Sequence, residues 1–238
     1  TDDFPSLSIS ALAFSQLDNT FDSLYAATGR RSAGGFTGGL EGLIMRTTDG
    51  GDTWTLLGDD LFGKEIRSIV PTAIGTGVGD QVVLVATPDG GVYRSADGAQ
   101  TFAQVSGSSG ASDGVDNDAD GMTDEPGELN LPSGGATHLV SDPGNSNRFY
   151  AAIPNQGVYR SEDGGESWQQ VNGTGAASIN AALPGVRVEL SVHDSGADNV
   201  VYAAVLQNNV PPATNFTQRV VGLFRSLDQG DTWRAVQN

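Results

Sequence analysis

A nine-residue segment recurs four times along the chain: Arg46-Thr-Thr-Asp49-Gly-Gly51-Asp-Thr53-Trp54, Arg94-Ser-Ala-Asp97-Gly-Ala99-Gln-Thr101-Phe102, Arg160-Ser-Glu-Asp163-Gly-Gly165-Glu-Ser167-Trp168 and Arg225-Ser-Leu-Asp228-Gln-Gly230-Asp-Thr232-Trp233. Such self-similarity marks a repeat architecture and restricts the fold more than any other feature of the chain. Each copy follows a β-rich run ending in apolar residues (Leu43-Ile44-Met45, Gly91-Val92-Tyr93, Gly157-Val158-Tyr159, Gly222-Leu223-Phe224), so the segment reads as a hairpin turn. A second repeated run lies upstream, Leu24 to Ala27, Val83 to Ala86, Phe149 to Ala152 and Val201 to Ala204. Before it comes a third, Ile9 to Phe14, Ile66 to Val70, Ala136 to Val140 and Val186 to Val192. With the short strand after each turn, the unit has four strands.

The chemistry of the turn explains its residues. An Asp side chain accepts hydrogen bonds from amides of its own turn, glycine supplies positive φ, and the Ser or Thr hydroxyl satisfies a further backbone group. The closing Trp or Phe pins the hairpin to the core. The turn aspartates are 48, 66 and 65 residues apart, so the shortest interval is the minimal unit and the other two carry insertions. Four-stranded units at this period predict an all-β fold, a β-propeller of four-stranded antiparallel blades. The expected division is blade one at 6–60, blade two at 61–106, an insertion at 107–135, blade three at 136–175 and blade four at 176–238 of a single domain.

These segments resemble the Asp-box, or bacterial neuraminidase repeat, family of propellers, which includes sialidases, xyloglucan-hydrolysing endoglucanases, sortilin-type receptors and a photosystem assembly factor. The resemblance covers nearly the whole chain. Three copies fit Ser/Thr-x-Asp-x-Gly-x-Thr/Ser-Trp; the second departs with Ala99 for glycine and Phe102 for tryptophan, which predicts a strained or shifted turn. The resemblance implies that the boxes lie on the outer rim of the blades. Their residues Asp49, Trp54, Asp97, Phe102, Asp163, Trp168, Asp228 and Trp233 are therefore structural.

Read this way, the chain begins on the innermost strand of one blade and ends on the outermost strand of the fourth, with no strand left to close a ring. Family propellers have six or more blades. An open arc of four would expose sheet faces and edges that invite association. A fragment of something longer, two copies completing one ring, and a compact four-blade closure are the alternatives; the first is favoured.

Composition narrows the partners. With 29 acidic against 12 basic residues the net charge is -17, which disfavours nucleic acid. There is no cysteine, hence neither disulfide nor thiolate chemistry. No run approaches the roughly 18 apolar residues of a membrane helix, and Thr1-Asp2-Asp3-Phe4-Pro5 carries no secretion signal, so the chain is expected to be a mature protein or a fragment. Acidity suits calcium, which takes oxygen ligands. The insertion contains Asp113-Gly-Val-Asp116-Asn-Asp118-Ala-Asp120-Gly121-Met122-Thr-Asp124-Glu125, acidic at alternating positions and then bent by glycine. Asp116, Asp118 and Asp120 are the expected first calcium ligands, followed by the Met122 carbonyl, Asp124 and Glu125. The loop resembles the calcium loops of secreted bacterial repeats and thrombospondin type 3 modules. It departs from an EF-hand in having Gly127 at the twelfth position.

A reaction is harder to find. Arg67, His138, Arg187 and Glu189 fall on expected innermost strands; Glu41, Glu65, Arg30, Arg31, His193 and Asp194 fall on or beside connecting loops. A glycosidase needs two opposed carboxylates, and Glu65 with Glu189 is the best available pair. A one-residue slip in strand register would turn either away. The Arg-Ile-Pro signature of sialidases is absent; Arg67-Ser-Ile-Val-Pro71 replaces it poorly. All three tryptophans are box residues and all five tyrosines lie in repeated strand positions, which leaves few aromatic platforms for sugar. Two loops, 29–42 and 207–219, offer recognition surface, and Asn172-Gly-Thr174 and Asn215-Phe-Thr217 are glycosylation sequons. The expectation is a noncatalytic, calcium-stabilised propeller, extracellular or on a bacterial cell surface. It would act as a structural or protein-binding module whose partners are other proteins, further copies completing a ring or filament, or surface glycans. The alternative is part of a glycoside hydrolase.

Overall fold

The computed structural model describes residues 8–29, 40–106, 131–194, 196, 199–208 and 218–236. Along them run four antiparallel four-stranded sheets, each with its strands in sequence order. The first holds β1 (Ile9–Phe14), β2 (Leu24–Thr28), β3 (Ile44–Thr47) and β4 (Thr55–Leu57). The second holds β5 (Ser68–Pro71), β6 (Val83–Thr87), β7 (Gly91–Ser95) and β8 (Ala103–Gln104). The third holds β9 (His138–Asp142), β10 (Asn145–Ile153), β11 (Gly157–Ser161) and β12 (Gln169–Gln170). A two-stranded hairpin, β13 (Gly173–Thr174) with β14 (Ala177–Ser178), precedes the fourth sheet: β15 (Arg187–Asp194), β16 (Asn199–Asn208), β17 (Gln218–Ser226) and β18 (Arg234–Ala235).

Side chains alternate across a strand, so directly paired residues form rows on one face. In the first sheet Ala13, Tyr25, Arg46 and Thr55 form one row, and Leu12, Ala26, Met45 and Leu56 form the next, on the opposite face. The second strands of sheets two and three are apolar on both faces because a sheet lies on each side of them; β6 is buried throughout. Tyr25 and Ile44 meet Ile69, Val85 and Tyr93 between sheets one and two. Leu84 and Val92 meet Phe149, Tyr159 and Trp168 between sheets two and three. Tyr150 and Val158 meet Leu190, Ala203, Phe224 and Trp233 between sheets three and four. Among the described residues no such core joins sheet four to sheet one. The all-β propeller architecture therefore holds, and among the described residues its four sheets form an arc whose first and last sheets each pack against one neighbour.

The first strands converge at the centre of the arc, linked by side chains that reach the next sheet. Ser10 Oγ donates to the Ile66 carbonyl at 2.5 Å, Leu139 N donates to Ser68 Oγ at 3.3 Å, and Thr137 Oγ1 donates to the Val188 carbonyl at 3.2 Å. A buried staple ties the first two sheets further out. Gln81 Oε1 accepts from Ser15 Oγ and from Tyr25 Oη, both at 3.0 Å, while its Nε2 donates to the Thr72 carbonyl. Between sheets three and four, the buried Asp142 carboxylate receives Arg148 at 3.2 Å and Asn199 at 2.8 Å.

The residues that flank the insertion meet. Ser106 and Leu131 pair as a parallel bridge, and Leu131 is fully buried in the core between sheets two and three. The expected calcium ligands Asp116, Asp118, Asp120, Met122, Asp124 and Glu125 lie outside the described residues, as do Arg30, Arg31 and the Asn215 sequon.

Candidate functional site

The four repeated turns join the third and fourth strand of every sheet, at the outer edge of the arc. In the first, Asp49 Oδ1 accepts from Thr53 N at 2.9 Å and Oδ2 from Thr53 Oγ1 at 2.5 Å. Thr47 Oγ1 donates to Asp49 Oδ1 at 2.7 Å and accepts from Gly51 N at 2.9 Å. The same pattern repeats around Asp97 with Ser95 and Thr101, Asp163 with Ser161 and Ser167, and Asp228 with Ser226 and Thr232. Hydrogen bonds from Thr53, first its hydroxyl and then its amide, bring the Asp49 carboxyl down to about 2. At Asp97, Asp163 and Asp228 burial pushes upward, and the hydroxyl and amide donors outweigh it, so these carboxyls also lie below their ordinary value.

Both residues after each aspartate have positive φ, which glycine adopts without strain. Two positions break the glycine rule: Ala99 at φ 71° and Gln229 at φ 63°. The Ala99 turn keeps its hydroxyl and carboxylate bonds, so the departure there is local backbone strain rather than a shifted turn. The ring ends differ. Trp54 and Trp168 donate to the Gly51 and Gly165 carbonyls of their own turns at 3.1 Å, whereas Trp233 donates to the Val171 carbonyl of the preceding sheet at 2.6 Å.

The first residue of the first three repeats proves to be a link between sheets. Arg46 Nη1 donates to the carbonyl of Gly98, the residue after Asp97, at 3.0 Å and to that of Val78 at 2.8 Å. Arg94 Nε reaches the Gly164 carbonyl at 3.0 Å, and its Nη2 meets Glu166 at 2.8 Å. Arg160 Nη1 reaches the Gln229 carbonyl at 2.7 Å and Asp231 at 2.9 Å. Every such arginine thus clasps the carbonyl just after the turn aspartate of the next sheet. The signal for this was present in the repeat, an arginine three residues before each aspartate, but the turn's own chemistry does not need it.

At the centre of the arc the first strands enclose a cleft of about 340 Å³. Ala13, Phe14, Val70, Leu139, Ser141 and Val192 are among its walls, and no charged side chain is among the described residues lining it. The carboxylates considered for catalysis lie elsewhere. Glu65 pairs with Arg67 at 3.1 Å, just ahead of β5. Glu189 contacts Arg187 on its own strand and lies 3.2 Å from His138 Nδ1. Leu190 N–H donates to that same nitrogen at 2.9 Å, so amide and carboxylate compete for one ring position. The fold thus gathers His138, Arg187 and Glu189, pairs Glu65 with Arg67, and gives no contact between Glu65 and Glu189 among the described residues. His193 and Asp194 end β15, and Asp194 Oδ1 accepts from Gly196 N in a turn. Asn172, of the first sequon, is buried; its amide accepts from Val158 N at 2.8 Å and donates to the Gln156 carbonyl at 2.6 Å, so it is a structural side chain.

No family model matches the sequence, and a comparison with curated proteins finds no match. Solved structures do match in shape. The xyloglucanase of glycoside hydrolase family 74 from Xanthomonas campestris superposes with a TM-score of 0.56 at 20% identity, over 98% of this chain and 31% of that one. YCF48 from Cyanidioschyzon merolae gives 0.52 at 15% identity, over 99% of this chain and 58% of that one. The extracellular domain of a hybrid two-component system from B. thetaiotaomicron gives 0.56 at 10% identity, over 98% and 25%. The chain thus spans between a quarter and three fifths of the proteins it resembles, and at these identities the likeness is one of β-propeller fold.

Proposed function

We propose that this chain is a noncatalytic, extracellular, calcium-stabilised propeller of the Asp-box type that serves as a structural or protein-binding module of a larger surface protein or assembly. The observation that carries this reading is the exposure of its two end faces. Leu12 of β1 is 62% exposed, while the residues at the same place in the other sheets, Ile69, Leu139 and Leu190, are 5%, 2% and 6% exposed. At the other end Tyr202 of β16 is 37% exposed, while its counterparts Tyr25, Leu84 and Tyr150 are at 0%. Phe14, Phe21, Val220 and Leu223 add exposed apolar surface at the same two ends. Contiguous apolar surface of this kind marks association with protein.

The rival reading, a glycoside hydrolase module, draws on the likeness to xyloglucanases and on Glu189, whose neighbours His138 and Arg187 give it a polar setting at the start of β15. Incubation with xyloglucan and with sialosides, followed by reducing-end and free-sialic-acid assays, separates the two. No release is the expected outcome. Release that disappears in Glu189→Gln would overturn the noncatalytic reading.

A further inference from the structure

The end faces are not merely apolar; they carry the two unmatched halves of a contact made three times inside the molecule. Each internal contact joins unlike faces. The forward face of a sheet carries the clasping arginine beside an aromatic or leucine, as Arg46 does beside Tyr25 and Arg160 beside Tyr150. The rear face of the next sheet brings apolar residues of its first three strands, such as Ile69, Val85 and Tyr93. Its turn supplies the carbonyl that the arginine takes. In two of the three contacts the third residue after the turn aspartate is acidic, Glu166 or Asp231, and pairs with the same guanidinium.

The fourth sheet presents a complete forward face: Arg225 pairs across β16 and β17 with Tyr202, with Leu223 in the neighbouring row. Arg225 is exposed and has no hydrogen bond or ion pair among the described residues, whereas Arg46, Arg94 and Arg160 are each half-buried and clasped. The first sheet presents the rear-face counterpart at its inner and outer strands: Leu12 and Phe14 on β1, the latter edge to face with Phe21 at 5.9 Å, and Leu56 on β4 are exposed, while Ala26 and Met45 between them are buried. Its turn holds the matching acceptors. The Gly50 carbonyl follows Asp49 and is unclaimed among the described residues, and Asp52, three residues after Asp49, is an exposed carboxylate without a partner there.

Resting on the module reading above, we propose that two copies of this chain join head to tail, the fourth sheet of one copy against the first sheet of the next. Arg225 clasps the partner copy's Gly50 carbonyl and Asp52 carboxylate, while Tyr202 and Leu223 cover Leu12 and Phe14. Because the contact joins unlike faces it is heterologous, and repetition gives a ring where the rotation closes and a filament where it does not. The net charge of -17 opposes approach, so the apolar rows and the single Arg–Asp pair must act at short range under screening, with a Debye length of about 8 Å at 0.15 M salt.

Sedimentation velocity with light scattering tests this on the full chain in about 0.15 M salt. The chain should pass, as its concentration rises, from 24.5 kDa to twice that mass and its multiples. Arg225→Glu blocks only the forward face and Leu12→Asp only the rear face, so each variant alone should stay monomeric. An equimolar mixture of the two should form a dimer and nothing larger, because one forward face and one rear face remain intact. Arg225→Glu combined with Asp52→Arg in one chain should recover at least tenfold of the lost association. All three positions are exposed, and far-UV circular dichroism of each variant checks that folding is unchanged. A chain monomeric at every concentration overturns the second copy as occupant and leaves the end faces to a blade of another protein. A wild-type assembly with no dimer in the mixture also overturns the proposal, since the contact would then join like faces or use other surfaces. Failure to assemble leaves the noncatalytic reading standing, and glycan cleavage removes that reading whether or not the chain assembles.

Discussion

Gln229 sits at φ 63° where the other three turns have glycine, and a left-handed non-glycine residue costs roughly 1–2 kcal/mol. Gln229→Gly keeps the carbonyl that Arg160 clasps and removes that strain, at some cost in unfolded-state entropy. A gain of about 0.5–1 kcal/mol is expected in urea denaturation. Ala99 has the same backbone problem, but its methyl is fully buried against the first core, and a buried methyl contributes about 0.8 kcal/mol. Ala99→Gly should therefore be close to neutral, and the contrast between the two sites separates backbone strain from burial. The turn aspartates predict the response to acid. Their folded-state carboxyls lie below the ordinary value, Asp49 at about 2, so they contribute stability that is fully present above the unfolded value of 3.8. It is lost as pH falls through the folded values. Thermal midpoints measured from pH 5 to pH 2 should drop through that window, and Asp163→Asn, with its carboxyl removed, should show a shallower fall from a lower starting point. These turn interactions were legible in the sequence because each is local, within four residues of its aspartate. Gln81 was not, because Tyr25 and Ser15, the groups it satisfies, lie 56 and 66 residues away.

The arginine clasps set how sheets are held to one another, and they act pairwise between neighbours. Arg160→Met should cost about 1.5–3 kcal/mol, the range for hydrogen bonds made by a charged group, with the Gln229 carbonyl still served by Tyr150 Oη. Arg94→Met, at a different contact, should add to it with little coupling. Arg225→Met should change the stability of the dilute monomer by less than about 0.5 kcal/mol, because its guanidinium is exposed and unclasped there. Urea denaturation of the three single variants and one double variant checks this ordering. Strand order within each sheet followed from the repeated runs, since a run, a turn and a second run must pair antiparallel. Strand starts were less legible: β5 begins at Ser68 and β9 at His138, two residues beyond the expected starts at Ile66 and Ala136. Glu65, expected beside a connecting loop, lies before β5 and is paired with Arg67, and it makes no contact with Glu189 among the described residues.

For the whole molecule, the question is what the 107–130 segment contributes, given that its two ends meet at Ser106 and Leu131 in the wall of a core. Closing a loop of that length costs chain entropy, which grows only slowly with length. The sequence also sets Asp113, Asp116, Asp118, Asp120, Asp124 and Glu125 close together in a chain that already carries a net charge of -17, and like charges so spaced repel. The proposed calcium, taking oxygen ligands, would relieve that repulsion and stabilise the folded chain by mass action, by about 2.7 kcal/mol at a hundredfold excess over its dissociation constant. Calcium at millimolar level should therefore raise the thermal midpoint, with magnesium, which demands stricter octahedral geometry, doing much less. Asp118→Asn combined with Asp120→Asn should abolish the calcium increment while raising stability in chelator, because two repelling charges are gone. Calorimetric scans of wild type and variant, each in calcium and in chelator, give the four numbers needed. An equal calcium increment in both proteins would place the ion elsewhere; an increment in wild type alone would assign it to this loop and make the Ser106–Leu131 junction the point through which the bound loop stabilises the second core.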